Sequence, residues 1–289
     1  MNTYEKALEL LPRRLLLTEC SCIPASEAEE FRLRAGRKAA VLIGGTEMPI
    51  SDVLIETRDI DWVIERATNA SVHTAQSSIA KGFINCSGGI RIGMCGTGII
   101  DDGKVTGMRG ISSLAIRIPH EIRGCGQAAI DRIKAEPRDS VLILSPPGYG
   151  KTTFLRECIR QLSDSGKRVS VADERGELAA VHRGAPQFDL GNASDIMSGV
   201  PKAQAVMMLL RAMNPQIIAM DEISSPEDVE AAETASGCGV RLIATAHAAD
   251  KSELCSRPVY RRLLELGVFK NAVVIENRCG KRSYSYGEI

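Results

Sequence analysis

The segment VLILSPPGYGKTTFLRECIRQL, residues 141–162, carries the strongest structural signal in this 289-residue chain. Its first four residues form a continuous apolar run, which is typical of a strand buried on both faces of a parallel sheet. A loop rich in proline and glycine follows, and the apolar residues after it recur at helical spacing. The segment therefore predicts a buried strand, a glycine-bearing loop and a helix that begins at Lys151.

The loop and the start of the helix match a P-loop, the motif that binds nucleotide phosphates. Gly148 and Gly150 carry no Cβ, so their backbone N–H groups can approach a phosphate closely, and the helix N-terminus adds a partial positive charge. Lys151 is expected to reach the β- and γ-phosphates, and Thr152 to bind Mg²⁺. The predicted site for ATP and Mg²⁺ consists of Pro147, Gly148, Tyr149, Gly150, Lys151, Thr152 and Thr153.

One position departs from the usual P-loop string. Ser145 stands where the motif normally begins with glycine. The departure concerns how sharply the chain leaves the strand, and it leaves the phosphate cradle around Gly150 unaffected. An ordinary Gly/Pro turn before a helix is the alternative interpretation, but it provides no structural use for Lys151 and Thr152.

A second chemical signal is QIIAMDE, residues 216–222, in which a short apolar run ends in two acids. An aspartate at the tip of such a strand can hold Mg²⁺ through water, as a Walker B aspartate does, and we assign this role to Asp221. The adjacent Glu222 is suited to orient and polarise the attacking water. Two carboxylates at a buried strand end are costly unless they face a cation or solvent, which favours a functional role for the pair.

Two further candidate positions follow other predicted strands. Glu174 and Glu177 come directly after RVSVAD, residues 168–173, and His247 follows VRLIATA, residues 240–246. Ligands of open α/β sheets bind outside the carboxyl ends of the strands. Glu174 is therefore predicted to act in catalysis or beside the metal, and His247 to sense the γ-phosphate or hold the attacking water. A solvated charged loop and a structural histidine are the alternatives.

The composition argues against several classes of protein. Lys plus Arg and Asp plus Glu both number 36, so the chain lacks the basic excess of most nucleic-acid-binding proteins. No apolar run approaches the roughly 18 residues of a membrane helix, and the N-terminal region lacks the apolar core of a secretory signal. Nine cysteines without a C-x-x-C pair indicate a reduced, cytoplasmic chain. No nucleic-acid partner and no transmembrane segment are expected.

The pattern of elements changes near Gly124, which predicts an N-terminal α+β domain, 1–124, and an α/β domain, 125–289. The elements expected in the first domain are a hairpin at 30–43, a helix at 57–70 and glycine-rich strands within 83–119. After a short helix at 127–135, strands and helices alternate, as in a doubly wound sheet. The buried strands expected there are 141–144, 168–173, 216–220, 240–246 and 271–276.

The chemical segments together resemble the type II/type IV secretion ATPase superfamily, whose members are RecA-like P-loop ATPases. The likeness is carried, in the same order, by SPPGYGKTTFLRECIR, VADERGELAA, VPKAQAVMMLLRAMNPQIIAMDEI and ATAHA. By resemblance, the acidic box corresponds to Asp173, Glu174 and Glu177, the Walker B pair to Asp221 and Glu222, and the histidine box to His247. Besides Ser145, the sequence departs from the pattern at Ala248-Ala249, where larger members carry Thr-Asn.

The resemblance also implies an assembly. Members of the superfamily form ring-shaped homo-hexamers, in which the N-terminal domain packs on the nucleotide site of the next subunit and supplies arginines in trans. Arg109 and Arg117 are the candidates for this role. Similarity to the sporulation branch implies that the motor energises a transenvelope channel between mother cell and forespore. The expected location is cytoplasmic, peripheral at the membrane through membrane-channel proteins.

The sequence thus predicts an ATPase that converts ATP and water to ADP and phosphate. Lys151 and a trans arginine would neutralise charge on the transferring phosphoryl group, and Glu222 would orient the water. Domain closure on ATP and opening on ADP would move the two domains against each other. Three alternatives stay open at this point: a nucleic-acid-translocating ring ATPase, a small-molecule kinase, and a nucleotide-binding scaffold with little hydrolysis.

Overall fold

The computed structural model describes residues 3–16, 24–68, 79–80, 82–278 and 281–289. The chain divides into two compact units. The first comprises Met1–His120 with Ala180–Gln187, and the second comprises Glu121–Ala179 with Phe188–Ile289. No feature of the sequence assigns residues 180–187 to the first unit. The functional division into 1–124 and 125–289 stays a prediction.

The first unit is built on an antiparallel sheet. Its helices are α1 (Thr3–Leu10) and α2 (Thr57–Thr68), and its strands are β1 (Glu30–Arg34), β2 (Lys38–Ile43), β3 (Thr46–Leu54), β4 (Phe83–Asn85), β5 (Arg91–Asp101) and β6 (Lys104–Arg117). The sheet order is β3-β2-β1-β6-β5-β4, with antiparallel neighbours throughout. The predicted hairpin and the predicted glycine-rich strands are confirmed.

The core of the first unit forms where one face of this sheet meets α2. Phe31 and Leu33 alternate on β1 with less buried residues, and Ile116 lies beside Phe31 on β6, all without solvent exposure. From α2, Ile60 and Val63 enter the same core. The spacing of three residues between these two side chains places them on one helical face, which is buried against the sheet.

The second unit is a mainly parallel α/β sheet with helices. Its helices are α3 (Gln127–Ala135), α4 (Lys151–Asp164), α5 (Lys202–Ala212), α6 (Pro226–Gly237), α7 (Lys251–Ser256) and α8 (Pro258–Glu265). Its strands are β7 (Val141–Leu144), β8 (Val169–Asp173), β9 (Ser194–Ser198), β10 (Ile217–Met220), β11 (Arg241–Ala246), β12 (Asn271–Arg278) and β13 (Lys281–Glu288). The sheet order is β13-β12-β7-β11-β10-β8-β9.

All five strands predicted for this unit are present. The pairs within β12-β7-β11-β10-β8-β9 are parallel, and β12 forms an antiparallel hairpin with β13. Every residue of β7, β8, β10 and β11 is buried, which explains the apolar runs seen in the sequence. Three strands were not predicted, namely β3 of the first unit and the two sheet-edge strands β9 and β13.

The parallel register brings several predicted functional positions to one edge of the sheet. In the register, Leu144 of β7 pairs with Ala246 of β11, and Met220 of β10 pairs with both Ala244 of β11 and Ala172 of β8. The residues that follow these strand ends therefore emerge side by side. This edge is where open α/β sheets bind their ligands.

Candidate functional site

The loop between β7 and α4 has the backbone conformation of a phosphate cradle. Gly148 has φ +80° and Gly150 has φ +97°. Both values lie in the left-handed region, which residues with a side chain rarely adopt. Gly150 also has a neighbour, since a Cβ placed there would lie 3.3 Å from the Nε of Arg282. The helix N-terminus begins immediately after Gly150, so the loop amides and the first amides of α4 are available to an anion.

Ser145, the departure from the usual P-loop string, fits the exit of β7. It is fully buried, and its backbone stays outside the left-handed region that would require glycine. Its hydroxyl donates to the carbonyl oxygen of Pro146 at 2.9 Å, and its own carbonyl oxygen accepts from Lys151. Ser145 therefore stabilises the loop through these two hydrogen bonds.

The side chain of Lys151 is buried and bonds to other groups of the protein. Only 6% of it is exposed, and its Nζ donates to the carbonyl oxygens of Ser145 at 2.7 Å and Pro146 at 3.1 Å. Its third contact is the Nδ1 of His247 at 2.9 Å. Burial lowers the pKa of Lys151, against the raising effect of Asp221 and the neighbouring glutamate. The ammonium is thus held at the sheet edge by neutral partners that a phosphate can replace.

Thr152 and Asp221 lie in contact, as a shared magnesium site requires. The Oγ1 of Thr152 donates to the Oδ2 of Asp221 at 3.2 Å, and the Oγ1 of Thr245 donates to the Oδ1 at 2.7 Å. A hydroxyl and a carboxylate are ligands suited to Mg²⁺, which is usually held by one or two carboxylates together with substrate phosphates and water. Over the described ranges, no cluster of three or more His, Cys, Asp or Glu residues forms a metal site of its own.

Glu222 occupies an unusual backbone conformation beside this pair. Its φ is +44°, its amide donates to the Oγ1 of Thr245 at 2.8 Å, and its carbonyl oxygen accepts from Lys202. Its carboxylate lies 3.4 Å from the Nε2 of His247 and 3.3 Å from the Nη1 of Arg175. Sequence reasoning missed Thr245 and Lys202, because each stands in a predicted strand or helix that already had a structural explanation, and it missed Arg175, because only the acids of that loop were considered.

The contacts of His247 define its tautomer. An ammonium only donates hydrogen bonds, so the Nδ1 that faces Lys151 is an acceptor, and in a neutral ring the Nε2 that faces Glu222 carries the hydrogen. The backbone N–H of His247 donates to the hydroxyl of Tyr260 at 3.3 Å. His247 therefore lies between Lys151 and Glu222.

The acidic loop after β8 lies next to α5. Asp173 is 2% exposed and accepts hydrogen bonds from the backbone N–H groups of Glu177, Leu178 and Ala179; burial raises its pKa. It therefore shapes the loop. Glu174 lies 3.8 Å from the Nζ of Lys202, whose amide donates to the same carboxylate. The structure thus connects Glu174 to Glu222 through Lys202.

The two arginines considered for a trans role belong to the first unit. Arg109 is exposed on β6, and Arg117, at the end of the same strand, lies 3.3 Å from the carboxylate of Glu30. Their part in nucleotide chemistry stays a prediction.

A protein-family comparison places the chain. The model of the family "Sporulation stage III, protein AA" matches residues 2–285. The chain belongs to this family. Stage III sporulation protein AA of Bacillus subtilis (strain 168) is 33% identical over 265 residues, covering 90% of this chain and 86% of that protein. The uncharacterized protein ycf45 of Porphyra purpurea is 28% identical over 270 residues, covering 91% of this chain and 44% of that protein.

Solved structures show which fold the sporulation stage III protein AA family has. The pilus retraction motor PilT with bound ADP superposes with a TM-score of 0.62 at 16% identity, covering 99% of this chain and 82% of that one. The ATPase DotB of Legionella pneumophila gives a TM-score of 0.57 at 16% identity, with coverages of 98% and 78%. The fold is therefore that of RecA-like secretion and pilus ATPases, an α/β sheet with a separate antiparallel sheet in the N-terminal part. Among the described residues, no helix of this family member has the length and apolarity to cross a membrane.

Proposed function

We propose that this family member is an ATP-hydrolysing motor subunit that binds MgATP at the edge of its parallel sheet. The observation that carries the proposal is the convergence of three elements on one point. The P-loop supplies Lys151 and Thr152, the end of β10 supplies Glu222 and Asp221, which contacts Thr152, and the end of β11 supplies His247, which lies between Lys151 and Glu222. This is the arrangement that positioning and charge stabilisation in phosphoryl transfer require.

In the proposed mechanism, the backbone N–H groups of residues 148–153 hold the phosphates, as the left-handed glycines allow, while Pro147 has no N–H and only lines the loop. Lys151 exchanges the carbonyl oxygens of Ser145 and Pro146 for the β- and γ-phosphate oxygens. Thr152 and Asp221 would hold Mg²⁺, the carboxylate partly through water, and the ion would supply positive charge beside the phosphate oxygens.

The attacking water is assigned to Glu222. Its carboxylate lies at the sheet edge with 26% of the side chain exposed, so water can reach it. His247, which is hydrogen-bonded to Lys151 and lies 3.4 Å from the Glu222 carboxylate, holds the same water or reads the γ-phosphate. Glu174 supports this group through Lys202. Arg109 or Arg117 of a neighbouring subunit would complete the charge stabilisation.

The proposed assembly is a homo-hexamer that acts on membrane-channel proteins from the cytoplasm. Support comes from the family, from the fold shared with a pilus retraction motor, and from the type II secretion system protein HxcR of Pseudomonas aeruginosa, which is 28% identical over 49% of this chain. In this proposal, the motor energises a sporulation-associated transenvelope channel between mother cell and forespore. Attachment to the membrane is peripheral, through these partners.

The test compares phosphate release, nucleotide binding and particle mass for the wild type, Lys151→Ala, Glu222→Gln and the control Glu265→Gln. Glu265 is an exposed acid at the end of α8 and undergoes the same loss of charge. We expect Lys151→Ala to lose affinity for a fluorescent ATP analogue. Glu222→Gln should still bind but release phosphate on the order of 10²-fold more slowly, the range lost with a general base. The control should match the wild type.

Three results would point to other functions. Phosphate release that is unchanged in Glu222→Gln would show a different base or a contaminating enzyme. Nucleotide binding without release, also in the presence of an ATP analogue that assembles the ring, would support a scaffold. Release that depends on an added acceptor would indicate a kinase, and salt-sensitive binding of single-stranded nucleic acid would indicate a nucleic-acid motor.

A further inference from the structure

A buried lysine, Lys202, contacts the backbone of Glu222. Lys202 is the first residue of α5 and is 6% exposed. Its Nζ donates to the carbonyl oxygen of Glu222 at 2.5 Å and lies 3.4 Å from the carboxylate of Asp228 and 3.8 Å from that of Glu174. A buried ammonium is costly unless it is paired and hydrogen-bonded, and here both conditions are met.

The group that Lys202 holds is in a strained conformation. Glu222 has φ +44°, a region that a residue with a side chain rarely occupies, and such strain persists only where the surroundings fix it. Its N–H is held by the hydroxyl of Thr245 at 2.8 Å, and its C=O is held by Lys202. The two contacts fix the peptide groups on both sides of the Cα, and hence the direction in which the carboxylate leaves the chain.

Asp228 fixes Lys202 in turn. It is 4% exposed and completes a capping box with Ser225 at the start of α6. Its Oδ2 accepts from the backbone N–H of Ser224 at 3.0 Å and of Ser225 at 3.2 Å. Lys202 therefore connects the start of α5, the capped start of α6 and the exit of β10. It also bonds to Glu174 through both its ammonium and its backbone N–H.

We infer that Lys202 is a positioning residue for hydrolysis, which aims the Glu222 carboxylate at the attacking water by holding the Glu222 carbonyl oxygen. The inference rests on the proposed function, since it assigns a task within the same site. Lys202 touches neither the P-loop nor Asp221 through any described contact. Its effect is therefore on turnover and not on nucleotide binding.

The central experiment separates turnover from affinity. We expect Lys202→Met to lower kcat on the order of 10²-fold, the effect of misplacing a reacting group by about 1 Å, with an unchanged Kd for a fluorescent ATP analogue. Lys202→Arg, which keeps the charge and a donor, should restore most of kcat. The control Lys251→Met removes an exposed ammonium at the start of α7 and should have no effect. Wild-type kcat in Lys202→Met, or an equal loss in affinity and kcat, would overturn the inference.

A double-mutant comparison distinguishes positioning from general structural support. If Lys202 acts through the Glu222 carboxylate, Lys202→Met should cause no further loss of kcat in a Glu222→Gln background. A loss as large as in the wild-type background would show that Lys202 acts elsewhere.

A second variant covers the case in which Lys202→Met does not fold because it leaves Asp228 as an unpaired buried charge. Lys202→Met combined with Asp228→Asn removes both charges and keeps an acceptor for the α6 cap. It should lose kcat like the single variant, and hydrogen exchange of the amides at 221–225 should become faster. Unchanged exchange would refute the inference even if the wild type hydrolysed no ATP, an outcome that phosphate release by the wild type reports separately as the failure of the proposed function.

Discussion

Replacing Glu157 with Gln should destabilise the second unit in a pH-dependent way. Glu157 lies on α4, the helix that follows the P-loop, and is 4% exposed. It accepts hydrogen bonds from Arg160 at 2.6 and 2.9 Å, from the amide of Gln161 at 2.8 Å and from the backbone N–H of Gly124 at 3.0 Å. Burial acts to raise its pKa, but these hydrogen bonds outweigh burial and lower the pKa to about 2.

The magnitude follows from the difference between the folded and the unfolded pKa. A fall from the ordinary 4.5 to about 2 corresponds to about 3 kcal/mol of stabilisation at neutral pH. Because the folded pKa is the lower one, this contribution is complete above the unfolded pKa and disappears as the pH falls through the folded pKa. By the same relation it decreases to about 2 kcal/mol at pH 3.5.

The assay is urea unfolding of the wild type, Glu157→Gln and the exposed control Glu265→Gln at pH 7 and at pH 3.5. Far-UV circular dichroism follows the secondary structure of both units, and the single tryptophan, Trp62 on α2, identifies the transition of the first, so that the remaining circular dichroism change reports the second. Glu157→Gln should lose about 3 kcal/mol at pH 7 and about 1 kcal/mol less than that at pH 3.5. A deficit that does not change with pH, or one as small as that of the control, would refute the electrostatic argument.

Two further substitutions test close contacts in the same unit. Gly191→Ala should cost about 1–2 kcal/mol for its left-handed backbone at φ +82°, and about 1–3 kcal/mol more for a Cβ at 2.6 Å from the carbonyl oxygen of Arg160. The control Gly199→Ala, at φ +76° with open space around it, should lose only the free energy that the left-handed backbone costs. Equal losses of unfolding free energy for the two variants in urea would contradict the steric argument. Thr245→Val should reduce phosphate release and cost about 1–3 kcal/mol of stability because Asp221 loses a 2.7 Å hydrogen bond; unchanged release would exclude Thr245 from the site.

The part of the fold that could be predicted from the sequence is the part buried on both faces. The run Val141–Leu144 is fully buried at the centre of the sheet, so every position had to be apolar, and no other element of that length explains it. The same reasoning located β8, β10, β11 and β12. The helix at Gln127–Ala135 could be predicted because its buried residues Ala129, Ile130 and Ile133 recur at helical spacing.

The strands that were not predicted lie at the edges of the two sheets, where few residues are buried and the sequence shows no apolar run. β13, KRSYSYGE, has no fully buried residue, and β9, SDIMS, is only partly buried. Both pair through the backbone, which requires no apolar pattern in the sequence. β3 contains Pro49, a residue type that is depleted in strands, and β3 is an edge strand, where proline is tolerated.

The residues of the candidate site also fall into two groups, those that the sequence could predict and those that it could not. The P-loop and the acids at strand ends could be predicted because their residue types and order are specific to phosphate and metal chemistry. Lys202 and Thr245 could not, because their roles depend on the left-handed backbone of Glu222 and on the register between β10 and β11. Neither property has a local sequence signal. Lysine at the start of a helix and threonine in a buried strand both have ordinary structural explanations.

The contacts of Lys151 suggest how nucleotide binding reaches Glu222 in the proposed mechanism. Lys151 lies 2.9 Å from the Nδ1 of His247, while the Nε2 of the same ring faces Glu222 at 3.4 Å. When Lys151 turns to the phosphates, Nδ1 loses its donor and the ring gains freedom to flip or to accept a hydrogen bond from water. Glu222 keeps its backbone, which Lys202 and Thr245 hold, but its carboxylate is released from the imidazole. In the proposed mechanism, the residue that holds the phosphate and the residue that orients water are thus coupled through one side chain, His247.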